Sequence, residues 1–384
     1  MQFVVKKINN DDIVNEMARI GFDPDYLLKG AQKHRFISLK IFNLNLPQAN
    51  ILKQTALSLG ADCALHKEVL VSTIDKTDCI LSGTYGKLLE ISSKLKRQQF
   101  SMPKLADEIL EAVVNYEKKA PPVIMGILNL TENSFSDGGM YSNPNDAVAH
   151  ALDMIEDGAK IIDVGAESTA PRAVPVHVDI EIGRVVPVIS KIKELAPEVL
   201  ISIDTRNSET AEAAIRSGAD IVNDVSGFSW DEKIINVAHK YKKKYVLTHS
   251  IGTPENMDDM NHYINLVDDI YSELKTKADF LLEKGFLPDD LIIDVGFGFA
   301  KDVEQNYELM TKISDFKSLG YKILVGTSRK RFLSDLRKNS EKPILDDITA
   351  LSSFYLAEHG ANILRVHDVA KTKLALDFLS RLSR

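Results

Sequence analysis

Three short polar side chains, Asp204, Asn223 and Asp294, each come directly after an aliphatic run. An ionised carboxylate only accepts hydrogen bonds, whereas a carboxamide both donates and accepts. Brought together from separate strands, the trio suits a flat heterocycle with several N–H donors and an amide edge. Lys330, Arg365 and His367 occupy comparable places further along, and Asn129 does so earlier. These four make a cationic, metal-friendly group suited to phosphate oxygens. No Ser/His/Asp or Cys/His set accompanies them, so the chemistry on offer is positional and electrostatic rather than nucleophilic.

Taken singly, a polar residue after a strand is as readily a helix cap or a loop anchor. Asp163, Asp224 and Asp368 are read that way, His249 as a core hydrogen-bonding residue and Arg329 as a supporting one. What carries weight is recurrence. Apolar runs at 123–128, 161–164, 200–203, 221–222, 245–247, 291–293, 322–325 and 363–366 each end in a polar residue and lead into a helical pattern. Helices are expected at Asn145–Asp157, Asp179–Leu195, Ser208–Ser217 and Asp259–Lys284. Gly158, Gly218, Gly285, Gly320 and Gly360 sit where helices should stop. Eight such units in a stretch of about 250 residues predict a (β/α)8 TIM barrel, whose chemistry sits at the C-terminal ends of its strands. A doubly wound open sheet is the rival, but it would carry a glycine-rich phosphate loop after its first strand. The segments Thr131–Gly139 and Glu167–Val178 are long enough to act as lids over the rim.

Residues 1–118 read as a separate small α/β domain, and 119–384 as the barrel, with Ala120-Pro121-Pro122 a stiff linker between them. In the first part, Phe3–Val5 and Phe36–Phe42 are expected as strands. Helices are expected at Ile13–Ile20, Ala49–Leu59, Leu88–Lys96 and Ser101–Lys119. Its polar residues do not converge, and Lys94–Arg97 reads as a solvated helix face.

Composition narrows the partners. Of 384 residues, 44% are hydrophobic and 27% charged, with a net charge of -8, which argues against nucleic acid. Cys63 and Cys79 are the only cysteines and lack metal-ligand spacing, as in a reduced cytoplasmic setting. No apolar run approaches the roughly 20 residues of a membrane span.

Seven segments, MGILNLTENSFSDGG, GAESTAP, SIDT, IVNDVSG, DVGFGFAK, GTSRKRF and RVHDVAKT, resemble in this order the signatures of the dihydropteroate synthases. The resemblance spans residues 123–384. It implies condensation of 6-hydroxymethyl-7,8-dihydropterin pyrophosphate with p-aminobenzoate, releasing pyrophosphate, in a homodimeric Mg²⁺-dependent enzyme. Under it Asp204, Asn223, Asp294 and Lys330 hold the pterin, Asn129 the Mg²⁺, and Arg365 and His367 the pyrophosphate. Thr169, Pro171 and Phe299, with the Lys330–Arg331 segment, line the p-aminobenzoate side, and Phe135 belongs to the first lid. The chain departs from the family pattern at Ala170, where an arginine is usual, and Arg172 is expected to take over that role. Thr248-His249, Val295 and Glu132-Asn133 also differ from the usual residues. A pterin-dependent methyltransferase on a similar barrel would share Asp204, Asn223 and Asp294 but needs no grip on pyrophosphate. The first 118 residues resemble an extension found on some members.

Overall fold

The computed structural model describes residues 3–8, 12–118, 120–130, 143–167, 176–252, 260–334, 336 and 342–382. The chain divides into two compact units, Met1–Lys118 and Lys119–Arg384.

In the first unit, β1 (Phe36–Asn45), β2 (Asp62–Leu65) and β3 (Lys76–Thr84) form an antiparallel sheet in the order β1-β3-β2. Asn45 accepts a hydrogen bond from the Gln48 amide, and the Gln48 side chain answers to the Asn45 amide, starting the helix Leu46–Ser58. That helix, with Tyr85–Leu95 and Met102–Tyr116, encloses a core of its own around Leu52, Leu81, Leu88 and Ile91. Phe3–Val5 was expected to be a strand and is not; its side chains are exposed and it belongs to no regular element. Three β-prone residues define a strand only when a partner chain lies beside them, and local propensity cannot supply one. Conversely, β2 and β3 went unanticipated. β3 alternates exposed and buried residues throughout, but Lys, Asp, Ser and Gly along it mask the signal.

The second unit is a closed parallel barrel, in the order β10-β11-β4-β5-β6-β7-β8-β9. Its strands are β4 (Val123–Asn129), β5 (Ile161–Gly165), β6 (Leu200–Asp204), β7 (Ile221–Asp224) and β8 (Lys244–Thr248). β9 (Leu291–Asp294), β10 (Lys322–Val325) and β11 (Ile363–Val366) complete it. Closure removes the open-sheet alternative. The helices run close to expectation, except that the one after β8 spans Leu266–Glu283 and starts later than predicted. The glycines at 158, 218, 285, 320 and 360 all take positive φ, the conformation that ends a helix at little cost for a residue without Cβ. Among the described residues no helix is long and apolar enough to cross a membrane.

Between strands and helices runs a continuous apolar layer that includes Ile162, Val188, Ile203, Val222, Leu274 and Leu364. Inside the barrel lies a second, separate cluster of Met125, Ile161, Ile221, Val246, Ile292, Leu324 and Ile363. Because successive strand residues alternate between faces, these positions fix what every later residue on each strand does.

Asp224, on the outward face of β7, is fully buried and braces the turn that follows. Its carboxylate accepts from Ser226 N (2.8 Å), Ser226 Oγ (2.6 Å), Phe228 N (2.7 Å) and Tyr245 Oη (2.6 Å). Asp224→Ala would leave these donors buried without an acceptor and is expected to cost about 3–5 kcal/mol of stability, measured by urea denaturation. Asp368 is likewise structural, accepting from Lys371 N (2.9 Å) at the start of the last helix.

Candidate active site

Two residues beyond the apolar cluster, the same inward face turns polar on five of the strands. Ile161 leads to Asp163, Ile221 to Asn223, Val246 to Thr248, Ile292 to Asp294 and Ile363 to Arg365. Asp204 joins them at the end of β6, in register with Gly165 and Asn223. One period-2 pattern thus gives the barrel an apolar floor and a polar mouth.

Arg365 ties the mouth together. Its Nε donates to Asp163 Oδ2 (2.6 Å), and its second terminal nitrogen donates to Asp204 Oδ2. Asp163, fully buried, also accepts from Asn223 Nδ2 at 3.1 Å. The acidic and basic groups separated by the sequence reading are therefore one network. Burial opposes the arginine's charge, but Asp163 and Asp204 more than offset it and push the guanidinium above its ordinary range. Burial drives Asp204 up to about 7 despite Arg365 beside it. Two buried polar atoms here, Asn223 Oδ1 and Thr248 Oγ1, have no hydrogen-bond partner among the described residues. Both lie on the inward face beside Asp204 and Asp294, which equips the mouth for a ligand bearing N–H groups.

Asp294 accepts from Gly296 N (2.8 Å), and burial raises its carboxyl above the usual range against the pull of Lys330. Lys330 reaches over from the end of β10. Its ammonium donates to the Phe297 carbonyl and stands 4.5 Å above the Phe299 ring. Burial lowers it to about 8. His367 Nδ1 lies 2.9 Å from Ser328 Oγ, while its backbone N–H donates to the same oxygen (3.1 Å). Arg329 is drawn away into a paired contact with Asp346 (2.7 and 2.9 Å). Asn129 is half-buried at the end of β4, in register with Gly165, and Arg331 is exposed at the start of the helix Arg331–Ser334.

Asp204, Asn223, Asp294, Lys330 and Arg365 therefore meet at one mouth, with Asn129, Phe299 and His367 on its rim. Phe135, Thr169, Pro171 and Arg172, and most of both expected lids, lie outside the described residues. His249 is buried beneath the loop after Asp294 rather than in the mouth. Asp163 and Thr248 were underrated. The signal that could have found them was their place exactly one strand period beyond an interior aliphatic residue. A paired contact between Glu167 and Arg206 (2.8 and 3.1 Å), with Arg206 stacked 3.8 Å from the Trp230 ring, was also missed. It joins residues 39 apart in sequence, which no local pattern reports.

Residues 125–367 match the family described as pterin binding enzyme. Dihydropteroate synthase of Streptococcus pyogenes serotype M3 is 43% identical over 260 residues, 67% of this chain and 95% of that protein. The chain belongs to the dihydropteroate synthase family. Within this family, dihydropteroate synthase from Xanthomonas albilineans in complex with 7,8-dihydropteroate aligns with a TM-score of 0.61 and 32% identity, covering 68% of this chain and 94% of that one. A probable bifunctional folylpolyglutamate synthase/dihydropteroate synthase of Halobacterium salinarum is 34% identical over 378 residues. That match takes in 95% of this chain but only 45% of the relative. The chain thus spans less than half of that protein, yet the match extends into its first unit.

Proton linkage gives the mouth a measurable signature. Asp204 binds its proton more tightly in the folded state, with a value of about 7. Its stabilising contribution is therefore complete below the unfolded value of about 4 and is lost as pH rises from there through about 7. Asp204→Asn is expected to flatten the fall in melting temperature over that window, as followed by circular dichroism.

Proposed function

We propose that the chain catalyses dihydropteroate synthesis, joining 6-hydroxymethyl-7,8-dihydropterin pyrophosphate to p-aminobenzoate with release of pyrophosphate. The observation that carries this reading is the Arg365 network at the barrel mouth, with the unpartnered Asn223 Oδ1 and Thr248 Oγ1 beside it.

In this reading the pterin lies on the apolar floor, its N–H edge on Asp204 and Asn223 and its ring near Asp294 and Lys330. The carbon–oxygen bond between the pterin methylene and pyrophosphate breaks, and its electron pair leaves with the anion. The cation left behind is delocalised into the ring, where the carboxylate of Asp294 favours the growing positive charge. Arg365 and His367 receive the departing oxygens. The arylamine nitrogen then forms the new carbon–nitrogen bond and sheds a proton to water or to the released pyrophosphate. Holding two reactants in line with a good leaving group supplies most of the rate, so no activated nucleophile is required.

Mg²⁺ belongs to the same proposal. Among the described residues no group of three His, Cys, Asp or Glu could cage a metal ion. A magnesium ion that takes most of its oxygens from water and pyrophosphate needs only one or two from protein, and the half-buried Asn129 amide fits that role. Bound there, the ion would neutralise charge on the leaving group. Thr169, Pro171, Phe299 and Arg331 are assigned to the p-aminobenzoate side, Phe135 to the first lid and Arg172 to the pyrophosphate grip. Assembly as a homodimer is part of the reading, and the first unit is assigned to assembly or stability.

Pyrophosphate release from the pterin substrate, followed with and without p-aminobenzoate and Mg²⁺, tests the proposal. Product is expected only with both, and Arg365→Ala is expected to lower kcat/KM by about 100-fold or more. Methyl transfer from a methylated folate, indifferent to pyrophosphate and Mg²⁺, would overturn it. Since each unit has its own apolar core, a chain lacking residues 1–118 is expected to fold and retain turnover, with any loss appearing in oligomeric state by light scattering.

A further inference from the structure

Between Asp294 and Asp302 the backbone turns three times through left-handed conformations, at Gly296 (φ 72°), Gly298 (φ 75°) and Ala300 (φ 48°). A Cβ at position 296 would lie 1.9 Å from the His249 carbonyl oxygen, so glycine is obligatory there. Such a path sends backbone carbonyls into the protein rather than toward water, and each must find a donor. Backbone N–H groups serve some of them, Phe299 N donating to the Gly296 carbonyl (3.2 Å) and Asn306 N to that of Asp302 (3.1 Å), and side chains supply the rest. Lys301 Nζ donates to the carbonyls of Gly296 and Phe299 at 3.0 Å each. Lys330 Nζ takes that of Phe297, and Tyr263 Oη that of Ala300 at 3.1 Å. Asn306 Nδ2 covers those of Lys301 (3.1 Å) and Asp302 (2.6 Å).

Lys301 is the hub. Its amine is buried, which lowers it to about 7, and its third partner is His249 Nδ1 at 3.0 Å. Burial, then the lysine's own charge, depress His249 to about 4, so the ring is neutral. With Nδ1 accepting, the ring proton sits on Nε2, which faces Glu273 Oε2 at 3.4 Å. Glu273 is itself paired with Lys277 (2.8 Å) on the helix Leu266–Glu283. A chain of polar contacts thus runs from the outer helix to the loop that carries Asp294 and Phe299 and receives Lys330.

We propose that Lys301, seated by His249, is a positioning residue that holds this loop in the conformation where Asp294, Phe299 and Lys330 face the pterin together. The inference rests on the pterin-site reading above. Its own content is that loop geometry, and through it pterin affinity, depends on a lysine that does not touch the substrate.

The test is binding of 6-hydroxymethylpterin, which lacks the leaving group and cannot react, by isothermal titration calorimetry on the full chain alongside melting temperature. Lys301→Met is expected to weaken binding by about tenfold or more, and His249→Leu by a smaller but measurable factor, because buried carbonyls or the ammonium lose a partner. Phe316→Leu, a core truncation outside the loop, is expected to lower the melting temperature while keeping affinity within about twofold of wild type. That contrast separates positioning from general loss of stability. Folded Lys301→Met with affinity within about twofold of wild type overturns the inference. Should Lys301→Met not fold, unchanged affinity in His249→Leu overturns it instead. Wild-type protein that does not bind the pterin would remove the functional reading itself, and this inference with it.

Discussion

Two carboxylates share one guanidinium at the centre of the barrel mouth. Asp163 and Asp204 are both buried, and Arg365 between them supplies the positive charge that both carboxylates face. Even with it, burial leaves Asp204 poised near neutrality. Asn223 is oriented through the same network, since its amide nitrogen is spent on Asp163 and its oxygen is left to face the mouth. Under the proposed function, recognition of a polar heterocycle would therefore depend on a single arginine at the end of the last strand.

The rest of the molecule serves that arrangement at graded distances. Strand alternation puts the network one period above an apolar floor, and the strand register brings Asp204 beside Asn223 and Thr248 beside Asp294. Loops then add precision. The segment after Asp294 is bent by two left-handed glycines and locked by lysines from within and from the next strand, while Asp224 and Asp368 brace neighbouring turns with carboxylates that play no part in the mouth. Buried polar groups are costly unless partnered. Among the described residues the buried side-chain atoms without a partner are Asn223 Oδ1 and Thr248 Oγ1 at the mouth, Ser202 Oγ on β6, Glu181 Oε1 on the helix Val178–Leu195 and His249 Nε2 beneath the loop.

Much of this was legible in the sequence because a parallel barrel writes the same short message eight times: a buried apolar run, a polar residue and a helix, closed in five cases by a glycine. Asp204, Asn223, Asp294, Lys330 and Arg365 could be picked out by that repetition alone, and the family motifs sharpened their roles. What could not be read was pairing across the barrel. Arg365 and Asp163 are 202 residues apart, and nothing near either one announces the other. Asp163 therefore passed for a structural residue, and Arg365 was filed with the phosphate-binding group. Thr248 was noticed as a departure from the family pattern, without its inward-facing hydroxyl being foreseen. In the first unit β1 was legible, whereas β2 was too short and β3 too mixed in composition for periodicity to separate them from loop.

The apolar floor has a consequence for traffic. With Met125, Ile161, Ile221, Val246, Ile292, Leu324 and Ile363 filling the interior, the described barrel is a packed core and not a pore. Under the proposed function, reactants and products then pass on the polar side of this floor. Under the proposed reaction, a pterin resting on that floor would lie beneath the arylamine that joins it. Seven apolar side chains, one strand period below the polar groups, thus set how deep anything bound at the mouth can sit.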